Sequence, residues 1–338
     1  MTPDVYNINP RRPPIVIRFV FLTFSLLLLI TLGCSNSDNT NVVDIRFMAA
    51  EQSGAWYPLA VGITQIMKKE MPNLGNISII PGGGISNAVG INKGTAELGF
   101  SQASSIVDAL AGNPPFETKA ENITYMLSLF PHKTHVMVFQ DSGIQEINDL
   151  VGKRINVGTK GLLTEDIARR LLDVYGLSYG DMGSVQNLSF SDSVVQMKDG
   201  RLDALFWTVP TPFAVLSDLS LSEEIDLINI PVEKINQLIT SNPGLTQTVI
   251  KAGTYKGVNY DITTIQSPIV MIANNATNED VVYYATKVVY ENLDALKLSS
   301  ANLKEIQKED LLHDMNVPLH PGARKYLLEM GIDLNLQQ

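Results

Sequence analysis

The chain has 338 residues, enough for about two ordinary domains and a sizeable core. Its formal net charge is −10, with 45% apolar and 18% charged residues. A balance this acidic argues against a protein that neutralises nucleic-acid phosphates, and a composition this apolar argues against a disordered chain.

Residues 1–33 read as a secretory signal. Arg11, Arg12 and Arg18 precede an apolar run from Phe19 to Gly33 that is short for a spanning helix. Cys34, the only cysteine, follows at once. A lone cysteine at that junction predicts a bacterial lipoprotein, acylated on the thiol. Ile30-Thr31-Leu32-Gly33-Cys34 is similar to a lipobox, with Thr31 where leucine is usual. The other reading is an uncleaved anchor with an incidental cysteine. Residues 34–42 form a polar tether with no apolar periodicity. Beyond residue 33 the balance is 22 basic against 34 acidic residues, or −12. The mature part has no cysteine, so it can hold no disulfide framework and no thiolate metal site. It also has no spanning segment, and so cannot itself form a helical pore.

From residue 43 short apolar strands alternate with amphipathic helices, the pattern of an α/β protein. Strands are predicted at 44–49, 76–80 and 96–101, with helices at 57–71, 85–92 and 104–110. In the first helix Leu59, Ile63, Ile66, Met67 and Met71 share a face. Strands at 125–130 and 135–139 flank Pro131-His132-Lys133-Thr134, a predicted crossing into a second lobe. The pattern restarts with a strand at 154–158 and a helix at 163–175, then strand, helix and strand through Phe206. A strand at 265–273 returns to the first lobe, and a long helix at 278–296 follows with Asn278 as its N-cap. The expected fold is a two-lobed α/β clamp around a ligand cleft, of the periplasmic-binding-protein kind. Lobe I is 43–133 with 265–338, and lobe II is 134–264.

Loop chemistry suggests where a ligand would sit. A glycine turn before a helix lets backbone N–H groups and the positive helix end approach an anion, and Gly82-Gly83-Gly84 ahead of Ser86 and Asn87 fits. The turn lacks the Gly-Lys-Ser/Thr of a nucleotide loop. Its plain alternative is a tight turn with a serine cap. Ser53, Gly54 and Ala55 stand in the same relation to the helix of Tyr57, whose hydroxyl is a further candidate; Trp56 and Tyr57 could equally pack at the lobe surface. Gln102, Ser104 and Ser105 end a strand and begin a helix, where open α/β sheets bind ligands, although N-caps would look the same. Lys160 is the candidate fixed cation from lobe II, against an ordinary solvated lysine, and Glu51 a candidate partner for an amino group. Thr164 opens the next helix as a ligand contact or a cap. Trp207 and Thr208, with Phe206 and Pro210, form a wall of the cleft or part of the core.

Several of these segments carry a resemblance. Glu51-Gln52-Ser53-Gly54-Ala55-Trp56-Tyr57-Pro58-Leu59, Pro81-Gly82-Gly83-Gly84-Ile85-Ser86-Asn87 and Gly94-Thr95-Ala96-Glu97-Leu98-Gly99-Phe100-Ser101-Gln102 resemble the opening motifs of the TAXI family of TRAP-transporter solute receptors. Asn148 to Gly158 and Pro318-Leu319-His320-Pro321-Gly322-Ala323 are similar to two later ones. The chain departs from the family at Ala49-Ala50-Glu51, at Lys160 to Thr164 and at Phe130-Pro131-His132. The resemblance implies an extracytoplasmic receptor. It would hand a small organic anion, an acidic amino acid such as glutamate or a dicarboxylate, to TRAP-type membrane permease subunits.

No enzyme is expected. His132 and His135 flank a turn and are poorly placed to share a metal. No compact group of His, Asp and Ser supports a hydrolytic triad, so neither cofactor nor metal is expected. The expected partners are a small-molecule solute, a permease and, through lipid on Cys34, a membrane surface in the periplasm or at the cell surface. A receptor reporting to a membrane sensor kinase is the alternative.

Overall fold

The computed structural model describes residues 42–50, 52, 56–312, 317–332 and 334. The signal, Cys34 and the tether through Asn41 lie outside these residues, as do Glu51, Ser53, Gly54, Ala55 and His313.

The first half is built on parallel strands. β1 (Val43–Met48) lies between β2 (Leu74–Ile80) and β3 (Leu98–Gln102) and runs parallel to both. Parallel neighbours require crossovers, and α1 (Trp56–Glu70) supplies the first. Leu59, Ile63 and Met67 recur at helical spacing and are buried, while Lys68 and Lys69 sit in the last turn, where the dipole favours cations. α2 (Gly84–Asn92) is the second crossover, and α3 (Ala103–Ala111) follows β3 without a break.

β4 (Ile123–Phe139) and β10 (Ile262–Asn274) are antiparallel and long, at 17 and 13 residues. They join the first half to a second made of β5 (Arg154–Asn156), β6 (Ser184–Gln186) and β7 (Ala204–Val209). One continuous sheet results, in the order β2-β1-β3-β10-β4-β7-β5-β6. The expected break at 131–134 is therefore a continuous strand. Pro131 stands opposite Pro268 in the β4–β10 register, so the two missing N–H groups fall at one place in the ladder.

Helices cover the second half on both faces. α4 (Leu163–Val174) and α7 (Val232–Ser241) pack Ile167, Leu171, Ile235 and Leu238 against Ile155 and Phe206. α5 (Phe190–Lys198) and α6 (Ala214–Ser222) enclose Met197, Leu205, Trp207 and Leu219. β8 (Ile225–Leu227) pairs with β4, and β9 (Thr246–Ile250) with β10. The predicted helix at 278–296 is two helices, α8 (Glu279–Glu291) and α9 (Leu293–Ser299), broken at Asn292; α10 (Pro321–Glu329) comes last. No described helix is long and apolar enough to cross a membrane.

Candidate functional site

A cavity of about 600 Å³ is lined by both halves. The carboxyl ends of β3 and β7 point to it with Gln102, Thr208 and Val209, and α2 and α4 begin at it with Gly84 and Leu163. Carboxyl strand ends and helix starts are where open α/β sheets offer a ligand backbone N–H groups.

The first wall depends on close packing that only small residues allow. Asn87 is buried and its Nδ2 donates to the carbonyls of Ala49 (2.7 Å) and Phe100 (2.9 Å), which ties α2 to the sheet. A Cβ on Gly84 would lie 1.4 Å from Gln102 Oε1, so glycine is what lets Gln102 lie across the start of the helix. Ser86 Oγ accepts from the Gly83 N–H at 2.9 Å. The first helical bond runs from Asn87 N–H to the Gly83 carbonyl, so the N–H groups of Gly84, Ile85 and Ser86 have no acceptor within the helix.

The second wall turns on Gly161. Its φ of +80° is in the left-handed region that glycine adopts freely, and the turn leads Leu162 into the N-cap of α4. Thr164 Oγ1 accepts from the Thr208 N–H at 3.1 Å, fastening α4 to β7, and the hydroxyls of Thr208 and Thr134 lie 3.1 Å apart. Beside them stand Phe190 and Phe213, with ring centroids 5.0 Å apart, and both pack edge-on against buried Trp207. Phe213 is fixed from behind: its N–H donates to the Tyr255 hydroxyl at 3.0 Å, and that hydroxyl lies 2.9 Å from His135 Nε2. The Lys133 carbonyl stands 3.0 Å from Nδ1, so Nδ1 carries the proton and Nε2 accepts from Tyr255. Desolvation pushes the His135 pKa down to about 4, consistent with this neutral form.

Among the described residues that line the cavity there is no Asp, Glu, Lys or Arg. The titratable one is His132, at the crossing of β4. Its Nε2 is buried and without a partner among the described residues, and burial pushes its pKa down to about 3. Trp56 stands at its side, with ring centroids 6.3 Å apart. No described group of three or more His, Cys, Asp and Glu is placed to hold a metal.

The structure brings together Gly83, Gly84, Ser86, Gln102, Thr164 and Thr208 from the residues expected at the site. Asn87 stands behind the lining, committed to three backbone carbonyls. Ser104 is also apart, because its hydroxyl meets Ser267 at 3.1 Å and joins α3 to β10. Trp207 is fully buried and supports the aromatic wall rather than forming it. Tyr57 follows Trp56 on α1 but does not reach the cavity, and Lys160 is exposed beside it. Ser53, Gly54 and Ala55 fall outside the described residues. Sequence reasoning overlooked Ile85, Leu162, Phe190, Val209 and Phe213 and read His132 only as a poor metal ligand. For Phe190 and Phe213 a signal existed, since each is an aromatic at the start of a helix flanking β7.

Residues 47–331 match the NMT1-like family. Among solved structures, a Bordetella bronchiseptica RB50 protein is 14% identical, with 86% of this chain and 98% of that one covered and a TM-score of 0.51. The XAC2383 protein of Xanthomonas citri, solved bound to ATP, is 11% identical over 85% and 95%, also at 0.51. The periplasmic aliphatic sulphonate binding protein SsuA of Escherichia coli is 15% identical over 84% and 78%, with a TM-score of 0.47. At such identities the likeness to the two structures with scores of 0.51 is one of fold, the mixed α/β arrangement of sheet and helices expected from the sequence.

Proposed function

The chain belongs to the NMT1-like family, and from that premise we propose that it is an extracytoplasmic receptor for a small organic anion, without catalytic activity. The observation that carries this reading is the cavity itself. Two halves line it, two helix starts open on it, and among the described strands β4 and β10 alone run through both halves, at Pro131 and Pro268. In this reading residues 43–133 with 265–338 act as one lobe and 134–264 as the other. A ligand touching both binds the closed arrangement more tightly and shifts the population towards it.

The sequence resemblance supports delivery to a TRAP-type permease and tethering through lipid on Cys34; it also implies an acidic amino acid or a dicarboxylate as the solute, a class that a lining without Lys or Arg among the described residues does not favour. The N–H groups of Gly84 and Ile85 would meet the carboxylate. Gently purified protein should release a small organic acid detectable by mass spectrometry. Adding that acid back should reduce the radius of gyration in small-angle scattering. An unchanged radius at saturation would rule out the clamp. Receptor-dependent uptake into vesicles driven by an ion gradient without ATP would identify the TRAP type, and a requirement for ATP would remove it.

A further inference from the structure

We propose that the cavity selects a monocarboxylate carrying an extended apolar or aromatic body, and rejects acidic amino acids and dicarboxylates. The inference rests on the receptor reading and names its solute class. Its ground is the composition of the two walls. The polar groups that can meet an anion are concentrated at the glycine turn, where the N–H groups of Gly84 and Ile85 lie beside Gln102. Phe190, Phe213, Val209 and Leu162 dominate the second half; the hydroxyls of Thr164 and Thr208 also line it, but Thr164 Oγ1 already accepts from the Thr208 N–H and the Thr208 hydroxyl lies 3.1 Å from that of Thr134. One carboxylate is accommodated by the first set. A second would find only the start of α4 and those two committed hydroxyls, set among apolar side chains and without a cation, since no Lys or Arg is among the described lining residues and Lys160 is exposed outside them.

His132 points the same way. The residue lines the cavity, its Nε2 is buried and without a partner among the described residues, and desolvation by its surroundings keeps the ring neutral. A neutral imidazole can exchange one hydrogen bond with a solute but gives no charge to balance a carboxylate. The volume agrees, because about 600 Å³ lies in the range of sites that enclose drug-sized molecules. A four- or five-carbon diacid would leave much of that apolar space filled with water, whereas an apolar body would displace it.

The test is calorimetric titration of the full mature chain with a homologous series from butanoate to decanoate and with 3-phenylpropanoate, succinate, L-glutamate and octanamide. Affinity should rise roughly fourfold for each added methylene until the cavity is full. Octanamide, succinate and glutamate should bind at least tenfold more weakly than octanoate. Leu162→Ser alters a half-exposed residue and should flatten the chain-length dependence, with an unchanged melting temperature showing that the fold is intact; Phe213→Leu should weaken 3-phenylpropanoate more than octanoate. Succinate or glutamate binding more tightly than every monocarboxylate would overturn the inference and leave the receptor reading standing. Equal affinity for octanamide and octanoate would overturn its carboxylate half. Saturable binding of none of these compounds would overturn the inference, while the receptor reading would fall only if no small organic acid copurified with the chain either.

Discussion

Arg170 on α4 donates to the carboxylate of Asp108 on α3 and so joins the second half of the molecule to the first. Asp108 is 2% exposed and Arg170 14%, and the same guanidinium reaches Asp166 through Nε at 2.7 Å. Burial pushes the Asp108 carboxyl up, and the nearby Arg170 works against that. Close by, Asn242 Nδ2 donates to the Ser104 carbonyl at 3.0 Å. If the halves rotate apart about β4 and β10, Asp108 regains water, so the ion pair counts mainly in the closed state. Arg170→Met should therefore weaken solute binding roughly 10- to 100-fold, or about 1.4–2.8 kcal/mol, with the melting temperature of the free protein little changed. A large fall in melting temperature with intact affinity would show that the pair holds the fold in both states.

The contact between Gly84 and Gln102 gives a second prediction. Gly84 does not have a positive φ, so alanine is acceptable to the backbone, and the cost falls on the side chain it would meet. Gly84→Ala should expel Gln102 from the start of α2 and weaken binding by about tenfold while changing stability by no more than about 1 kcal/mol. Combined with Gln102→Ala, the second change should add little, because the first has already displaced the amide. Additive losses in the double-mutant cycle would show that the two residues act separately.

How much was legible beforehand follows from the range over which each signal acts. The two long strands were legible only in part, since 125–130 and 135–139 read as separate strands and 265–273 as a shorter one, whereas β4 runs unbroken over 123–139 and β10 over 262–274; glycine turns and helix starts announced Gly83, Gly84, Gln102 and Thr164. Local patterns could not show which side of a buried element faces the cleft. Trp207 and Thr208 are adjacent on β7, yet alternation puts the first among Phe190 and Phe213 and the second at the cavity. Ser104 looked like a cap, but its partner Ser267 is 163 residues away. In sequence His132 and His135 read alike, as poorly placed to share a metal. Strand geometry gives the two different surroundings, one lining the cavity and the other bonded to Tyr255 behind it.

The anchor is tested independently of the cleft. Two or three acyl chains bind a membrane far more firmly than one, at about 0.8 kcal/mol per buried methylene. Cys34→Ala should leave the precursor unprocessed or move the protein to the soluble fraction, as read by mass and fractionation. Identical processing and partitioning of mutant and wild type would end the lipoprotein reading.

The last prediction concerns acid stability. His132 and His135 are neutral in the fold, with pKa values pushed down to about 3 and about 4 by desolvation, and desolvation lowers His320 as well. His320 also caps α10, its Nδ1 accepting from the Gly322 N–H at 3.1 Å, a bond that requires an unprotonated nitrogen. In the unfolded chain these rings take up protons as the pH falls through about 6.5, while the folded protein does not follow. Their contribution is therefore complete above pH 6.5 and is lost as the pH falls towards 4, at up to about 1.4 kcal/mol per pH unit for each ring. Asparagine is a good N-cap that does not titrate, so His320→Asn should keep the helix start. Denaturant unfolding between pH 6.5 and 5 should then show a smaller dependence of stability on pH than in the wild type. An unchanged slope would mean that His320 is already protonated in the fold, and its role as the cap of α10 would have to be abandoned.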